Sequence, residues 1–273
     1  MAHDRRNAVP TLRRHGRPPR RIVVVHGGPG APGMVGALAE DLAADGSGVL
    51  EPLQTARSID GQVDELAASL RTEGEGPYDV IGSSWGAMLA VLTAQRHPDL
   101  FARLVLVGGA PFDRSGGEVT SATRRARMST ALRTEFDDLQ RDITGPDPAR
   151  AAAAFARSGD LLLGIDHLDP LVDHLEVLAH QLEVFEAVWG EVMERRAAST
   201  LLAPDAPLRC PVVVLHGDHD PHPLAGVVDP LRPLSRELTV QVLDRCGHLP
   251  WLERGARERF LSCLGATLTP PTP

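Results

Sequence analysis

The sequence contains no lysine, so all 28 of its basic residues are arginine. Without lysine the chain cannot form a Schiff base with a carbonyl substrate, and it lacks the lysine of a nucleotide-binding P-loop. The basic residues are outnumbered by 36 acidic ones, which gives a formal net charge of −8. An acidic chain of this kind argues against a nucleic-acid partner.

Cysteine and long apolar runs are also scarce. The three cysteines, Cys210, Cys246 and Cys263, are odd in number and widely spaced, which suits reduced thiols better than a disulfide framework. The first twenty residues are basic but lack the apolar core of a signal peptide. No stretch approaches the ~18 apolar residues of a membrane span. We therefore expect a soluble, cytoplasmic protein with no membrane partner.

Strand and helix patterns alternate through the first third of the chain and return near its end. This alternation predicts an α/β fold, with a mostly parallel sheet flanked by helices. The predicted strands are 22–26, 48–51, 78–82, 103–108, 210–217 and 237–244, and the predicted helices are 34–45, 62–73, 85–97 and 249–264. The residues before the first of these strands leave room for one further short strand at most.

Between about residues 112 and 207 strand patterns are replaced by helical ones. Apolar residues from Leu171 to Val192 recur in steps of three and four, which predicts one long helix with a single apolar stripe. A helical block inserted into an α/β sheet is typical of a cap over one sheet edge. We therefore divide the chain into a core, 1–111 and 208–273, and a helical cap, 112–207.

The glycine-rich stretch after the first predicted strand fits two templates. Gly28, Gly30 and Gly33 form G-x-G-x-x-G, and Glu51 follows eighteen residues later at a strand end. That is close to a dinucleotide-binding fingerprint. Starting at His26, the same residues spell H-G-G-P-G, a loop that could hold an oxyanion.

A second motif, GSSWG, lies where a predicted strand runs into a predicted helix. It matches G-x-S-x-G, the nucleophile elbow, with Ser84 as the nucleophile, since Ser83 would put the glycines out of register. Gly82 and Gly86 suit the sharp turn because side chains there would collide with neighbouring elements. The helix N-terminus and the backbone N–H of Trp85 could then stabilise an oxyanion.

A nucleophilic serine needs a base, and the base needs an orienting carboxylate. His248 follows the last predicted strand, and Asp218 and Asp220 follow the strand before it. From the residues alone, either carboxylate could reach His248.

Four motifs together, HGGPG, GSSWG, the G-x-x-D of 217–220 and the GHLPWLE of 247–253, resemble an α/β-hydrolase. They are most similar to the proline iminopeptidase-like branch of serine hydrolases, and the resemblance covers about 20–110 and 208–265. It implies a Ser84–His248–Asp220 triad and no cofactor, with Asp218 bracing the turn.

The resemblance also favours the oxyanion interpretation of the first motif. A dinucleotide loop binds pyrophosphate through consecutive N–H groups, and Pro29 and Pro32 each remove one. In an oxyanion loop these prolines do no harm, and Gly28 supplies a second N–H beside that of Trp85. Glu51 is then an ordinary strand-end carboxylate.

Several polar and aromatic residues allow two interpretations each. The segment His216–His222 is dense in histidine and aspartate, but a metal there would compete for the triad acid and the spacing matches no recognised ligand pattern, so we predict no metal site. We expect His26 to support the loop rather than to act in catalysis. Trp85 and Trp251 could line an acyl pocket or simply pack in the core.

Three cap glutamates, Glu176, Glu183 and Glu186, lie off the predicted apolar stripe. If they faced the pocket, Glu183 and Glu186 could bind the ammonium group of an aminopeptidase substrate; otherwise they form a solvated helix face.

We expect a serine hydrolase that cleaves a small acyl substrate, either an ester, a lactone or an aminoacyl amide. A proline iminopeptidase-type aminopeptidase, a cofactor-free lyase or cyclase, and a non-catalytic ligand receptor are the alternatives. Epoxide hydrolase and haloalkane dehalogenase chemistry is disfavoured, because those enzymes use aspartate where this chain has Ser84.

Overall fold

The computed structural model describes residues 11–44 and 46–269. The strands in that part of the chain are β1 (Leu12–His15), β2 (Arg20–Val25), β3 (Gly48–Pro52), β4 (Tyr78–Ser83), β5 (Phe101–Val107), β6 (Val212–Gly217) and β7 (Leu238–Leu243). The helices there are α1 (Gly36–Ala44), α2 (Ile59–Glu73), α3 (Trp85–Arg96), α4 (Arg114–Arg127), α5 (Thr130–Ile143), α6 (Pro148–Asp166), α7 (Leu182–Ala197), α8 (Leu224–Leu231) and α9 (Arg257–Leu268).

The seven strands form one sheet in the order β1-β3-β2-β4-β5-β6-β7. β1 is antiparallel to β3, and the other neighbours are parallel. The predicted mostly parallel sheet is therefore confirmed, as is the single short strand before β2. In a parallel sheet the carboxyl ends of the strands lie at one edge, where ligands are usually bound.

Both faces of the sheet are covered, so the buried parts of its central strands are mostly apolar. In β2, Val23 and Val25 pack with α2 and α3 on one face, whereas Val24 packs with α1 and α9 on the other. All three valines are fully buried. The sheet is packed between these two cores, and the loops that follow its strands are positioned by the packed strands and helices.

Helices α4 to α7 lie between β5 and β6, in the segment predicted as a cap. The predicted long helix from residue 171 is wrong, because residues 171–181 are irregular and α7 begins only at Leu182. The backbone of the irregular segment bonds to core loops instead. Leu178 N donates to Pro32 O at 2.8 Å and Gln181 N donates to Gly30 O at 2.9 Å. Within the described residues, no helix is long and apolar enough to cross a membrane.

Gly86, in the first turn of α3, packs directly against the end of β2. A methyl group on Gly86 would overlap the carbonyl oxygen of Val25 and lie 2.6 Å from that of His26. We predict that Gly86→Ala lowers the free energy of unfolding by at least about 2 kcal/mol, because backbone carbonyls on a central strand cannot move aside. Urea denaturation measures this change.

Gly190 in α7 is the matched control, because a methyl group there meets no atom within 4 Å. Gly190→Ala should stabilise the protein by about 0.5–1 kcal/mol through helix propensity. Equal effects at both glycines would contradict the packing argument.

Candidate active site

Ser84 occupies the tight turn between β4 and α3. Its backbone has φ 54° and ψ −118°, a conformation that non-glycine residues rarely adopt. The turn is held by a hydrogen bond from Ser84 N to Val107 O at 3.1 Å and by Ala87 N, which donates to Ser84 O at 3.1 Å. The serine is thereby fixed at the carboxyl edge of the sheet and at the N-terminus of α3.

The glycine-rich loop passes close to Ser84. A methyl group on Gly27 would lie 2.9 Å from Ser84 Cβ, and Gly28 has a φ of +109° that favours glycine. Trp85 is the first residue of α3, and the first N–H groups of a helix have no partner within it. The N–H groups proposed from the sequence as oxyanion donors therefore belong to the two segments that flank Ser84.

His26 supports this loop through hydrogen bonds of its imidazole ring. Its Nδ1 donates to Gly27 O at 2.7 Å, and its Nε2 accepts from Gln54 N at 3.3 Å. Burial lowers the pKa of His26 to about 4, so the ring is neutral at neutral pH. Its contacts are those of the structural residue that the sequence predicts.

Glu51, the other part of the nucleotide template, contacts the edge strand β1. Its Oε2 lies 2.8 Å from His15 Nε2 and 3.3 Å from Arg13 Nη1, both in β1. These contacts tie β1 to β3 and agree with an ordinary structural carboxylate.

The loops after β6 and β7 bring Asp220 and His248 together. His248 Nδ1 donates to Asp220 Oδ2 at 2.9 Å, and both side chains are buried. Burial opposes ionisation of Asp220, but the charges of His248 and His222 hold the pKa of that carboxyl well below its usual range. Burial likewise opposes protonation of His248, yet the Asp220 carboxylate raises the pKa of His248 above its ordinary value.

Asp218, the alternative acid, takes a different role. Its Oδ1 accepts a hydrogen bond from Cys246 N at 3.0 Å, and the residue is exposed. This contact joins the loop after β6 to the loop that carries His248. Of the two carboxylates, Asp220 alone has a hydrogen bond to His248 among the described residues.

Asp220 is also bonded to a second imidazole. Its Oδ1 accepts from His222 N at 2.9 Å and from His222 Nδ1 at 2.7 Å. Ligand atoms of Asp220, His222 and His248 lie within 4.8 Å of one another. In this arrangement both ring Nδ1 atoms are hydrogen-bonded to the carboxylate of Asp220.

A buried carboxylate, Glu253, joins the His248 loop to the cap. Its Oε1 accepts from Gly247 N at 2.7 Å and from Leu168 N at 2.8 Å, and its Oε2 accepts from Asp169 N at 2.9 Å. His248 N also donates to Asp166 O at 3.0 Å. The sequence motif GHLPWLE contains this glutamate, and a lone acidic residue in an apolar stretch was the signal that could have identified it.

Ser84 and His248 line one cavity of about 400 Å³ beneath the cap. Its polar residues include Arg124, whose Nη2 lies 2.5 Å from Asp166 Oδ2, and Asp160. The rest of the lining is largely apolar and aromatic, and is supplied mainly by the cap: Phe136, Ile143, Phe155, Leu162, Leu163, Leu175, Val177, Phe185 and Trp189.

Four residues that the sequence suggested as pocket residues do not line this cavity. Glu183 forms an ion pair with Arg57 at the surface, and Glu186 is exposed beside it in a neighbouring groove. The face of α7 that lines the cavity carries Phe185 and Trp189, and the two glutamates lie off that face. The other two residues, Trp85 and Trp251, pack in the cores on the two faces of the sheet.

Trp85 is fully buried, and its Nε1 donates to Gln62 Oε1 at 2.8 Å. Trp251 packs against Phe260, with ring centroids 6.1 Å apart. Neither indole contributes to the wall of the cavity.

Comparison with known proteins identifies the family of this chain. The family model for the alpha/beta hydrolase family matches residues 3–259. The chain belongs to the alpha/beta hydrolase family. By sequence, no characterised protein compared with it gives a significant match.

Several solved structures superpose on nearly the whole chain. VinJ has a TM-score of 0.63 and 21% identity, over 94% of this chain and 93% of its own. A proline iminopeptidase from Mycobacterium smegmatis has a TM-score of 0.59 and 23% identity, over 94% and 93%. A thermophilic esterase from Thermogutta terrifontis has a TM-score of 0.60 and 20% identity, over 94% and 92%. At such identities the likeness establishes the fold alone.

The contacts of Glu253 lead to a stability prediction. Glu253→Gln should lower the free energy of unfolding by roughly 2–3 kcal/mol, because the amide nitrogen cannot accept a hydrogen bond and leaves a buried N–H unsatisfied. The measurement is urea denaturation.

Glu258→Gln, an exposed change in the first turn of α9, is the control and should cost only a few tenths of a kcal/mol. If Glu253→Gln were as mild as the control, the three hydrogen bonds would not hold the His248 loop.

Proposed function

We propose that this alpha/beta hydrolase is a serine hydrolase that forms an acyl-enzyme on Ser84. The observation that carries the proposal is the arrangement around one cavity: Ser84 and His248 both line it, and His248 Nδ1 is bonded to the buried Asp220 carboxylate at 2.9 Å. A serine that shares a cavity with an imidazole oriented by a carboxylate supports the activation of a hydroxyl nucleophile.

The steps follow from the positions of these groups. Ser84 Oγ attacks the acyl carbon while His248 Nε2 takes its proton. The N–H groups of Gly28 and Trp85 hold the developing oxyanion, and His248 then protonates the leaving group. Water, deprotonated by His248, then attacks the acyl-enzyme, and His248 returns the proton to Ser84 Oγ as the carboxylic acid is released. Asp220 keeps the proton of the neutral imidazole on Nδ1, so that Nε2 is free to act as the base.

The cavity favours a small substrate with an apolar acyl group. Its volume of about 400 Å³ and its aromatic wall suit a short or medium acyl chain. An ester or a lactone is therefore the substrate class that we propose first. Among the structural relatives, the Thermogutta terrifontis protein is described as an esterase.

An aminoacyl amide is the second candidate, and Asp160 is the observation that favours it. The carboxylate of Asp166 is neutralised by Arg124, whereas Asp160 lines the same cavity with no ion-pair partner in the described chain. A carboxylate in that place could bind the ammonium of an aminoacyl substrate. Asp160 replaces Glu183 and Glu186 in this role.

The first test concerns the nucleophile. Ser84→Ala should lower the turnover of p-nitrophenyl butyrate by at least about 10⁴-fold while the circular dichroism spectrum stays unchanged. A fluorophosphonate probe should label Ser84 in the wild-type protein, as located by peptide mass spectrometry. Labelling of Ser83 instead, or full activity of the variant, would refute the proposal.

The proposed triad carboxylate is tested by two matched substitutions on the loop after β6. Asp220→Asn should lower kcat by about 10⁴-fold at neutral pH, because the amide favours the wrong imidazole tautomer. Asp218→Asn should leave kcat nearly unchanged and act on stability, since its contact is with the backbone of Cys246. Exchanged phenotypes would assign the acid to Asp218.

The substrate class is tested through Asp160. If aminoacyl amides are substrates, Asp160→Asn should reduce kcat/KM for prolyl p-nitroanilide by roughly 10–150-fold, the value of a charge-assisted hydrogen bond. The turnover of p-nitrophenyl butyrate, which has no ammonium, should change by less than about twofold. Glu186→Gln, outside the cavity, is the control for both substrates. A wild-type protein that cleaves only the ester would exclude the aminoacyl candidate.

A further inference from the structure

The acid of the proposed triad is shared between two imidazole rings. His248 Nδ1 bonds to Asp220 Oδ2, and His222 Nδ1 bonds to Asp220 Oδ1 at 2.7 Å. The two rings stack, with centroids 4.4 Å apart and planes inclined by 30°. Neither the hydrolase fold nor the proposed steps require this second ring.

The tautomer of His222 follows from its contact. A carboxylate that is ionised can only accept, so His222 Nδ1 carries the proton and donates it. Burial lowers the pKa of His222 to about 4, so the ring is a neutral donor throughout the neutral range. His216 fixes the same loop, because its Nε2 donates to His222 O at 2.8 Å. His222 itself is only 6% exposed.

We propose that His222 is a positioning residue that sets the orientation and the hydrogen-bonding strength of the Asp220 carboxylate, and through it the basicity of His248. The proposal rests on the serine hydrolase function proposed above. His222 does not line the cavity, so it acts through its hydrogen bond to Asp220 and its stacking on His248.

Orientation is the first consequence of the shared carboxylate. One oxygen bonded to each ring fixes the carboxylate plane, so that Oδ2 stays directed at His248 Nδ1. Stacking of the two rings restrains His248 further. Without the His222 ring, Oδ1 keeps only the bond from the backbone N–H of residue 222.

Basicity is the second consequence. Donation by His222 to Oδ1 withdraws charge from the carboxylate and weakens its attraction for protonated His248. Other groups that interact electrostatically with His222 or His248 are Arg124, which disfavours protonation of both rings, and Asp166, which favours protonation of His248. A third is His167, whose pKa is lowered by burial and by the charge of His248. Loss of the His222 donor should therefore strengthen the pull of Asp220 and raise the pKa of His248.

The test uses two substitutions at one position. His222→Phe keeps the ring shape and removes the donor, whereas His222→Asn places an amide N–H near the position of Nδ1. For His222→Phe we expect the acidic limb of the kcat/KM profile to move up by about 0.5–1 pH unit, with a loss of roughly tenfold at neutral pH. His222→Asn should return the acidic limb toward its wild-type position and bring kcat/KM at neutral pH to within about twofold of the wild-type value. His219→Phe, on the same loop and without a ring hydrogen bond in the described chain, is the control.

A spectroscopic measurement separates this proposal from the catalytic one. ¹⁵N nuclear magnetic resonance of the wild-type imidazoles should show a protonated Nδ1 in both His222 and His248 at pH 7, and His222→Phe should raise the pKa of His248 by the same amount as the kinetic limb. This readout needs no turnover, so an inert Ser84 would defeat the hydrolase proposal and leave this one standing.

The opposite results overturn the inference. An unprotonated Nδ1 in wild-type His222 would do so even if His222→Phe fails to fold. An unchanged His248 pKa in His222→Phe, or an Asn variant that behaves like the Phe variant, would reduce His222 to a packing residue.

Discussion

The buried carboxylate of Asp220 is the constraint on which the rest of the site depends. An ionised carboxylate removed from water is costly unless donors surround it. The loop after β6 supplies a backbone N–H and the His222 ring for one oxygen, and the loop after β7 supplies His248 for the other. Satisfying this charge therefore fixes the distance between two loops that are 28 residues apart in sequence.

A second buried carboxylate extends the same principle to the cap. Glu253 binds the backbone of Gly247 on one side and of Leu168 and Asp169 on the other. The segment after α6 and the His248 loop are thus held by a single side chain. A displacement of the cap there would move His248 as well as the cavity wall, so the shape of the cavity and the position of His248 are linked.

The sequence was sufficient for features fixed by local chain geometry. The glycines around Ser84 reflect a tight turn, in which a side chain at Gly86 would strike Val25 and one at Gly82 would strike the start of α3. The fold class follows from the alternation of apolar strands and helices. The apolar spacing after Leu171 was misleading, because it cannot reveal that the backbone N–H groups of that segment bond to Pro32 and Gly30 rather than within a helix.

Side-chain direction in the cap was likewise beyond the sequence. Glu183 pairs with Arg57 at the surface, although its position relative to neighbouring apolar residues allowed it to face the pocket. The roles of His222 and Glu253 depend on partners that the sequence does not identify. His222 shares its carboxylate partner with a histidine from another loop, and Glu253 binds backbone groups of the segment after α6.

The cap, rather than the core, decides which substrate fits. Core residues around Ser84 are constrained by the turn, the sheet edge and the buried charge of Asp220, and these constraints are the same for an ester, a lactone or an amide. The cap residues supply most of the cavity wall, with Phe185 packed against both Phe155 and Trp189. Because Arg124 already pairs with Asp166, Asp160 is the cavity carboxylate through which we propose that the protein would choose between a neutral and a cationic substrate.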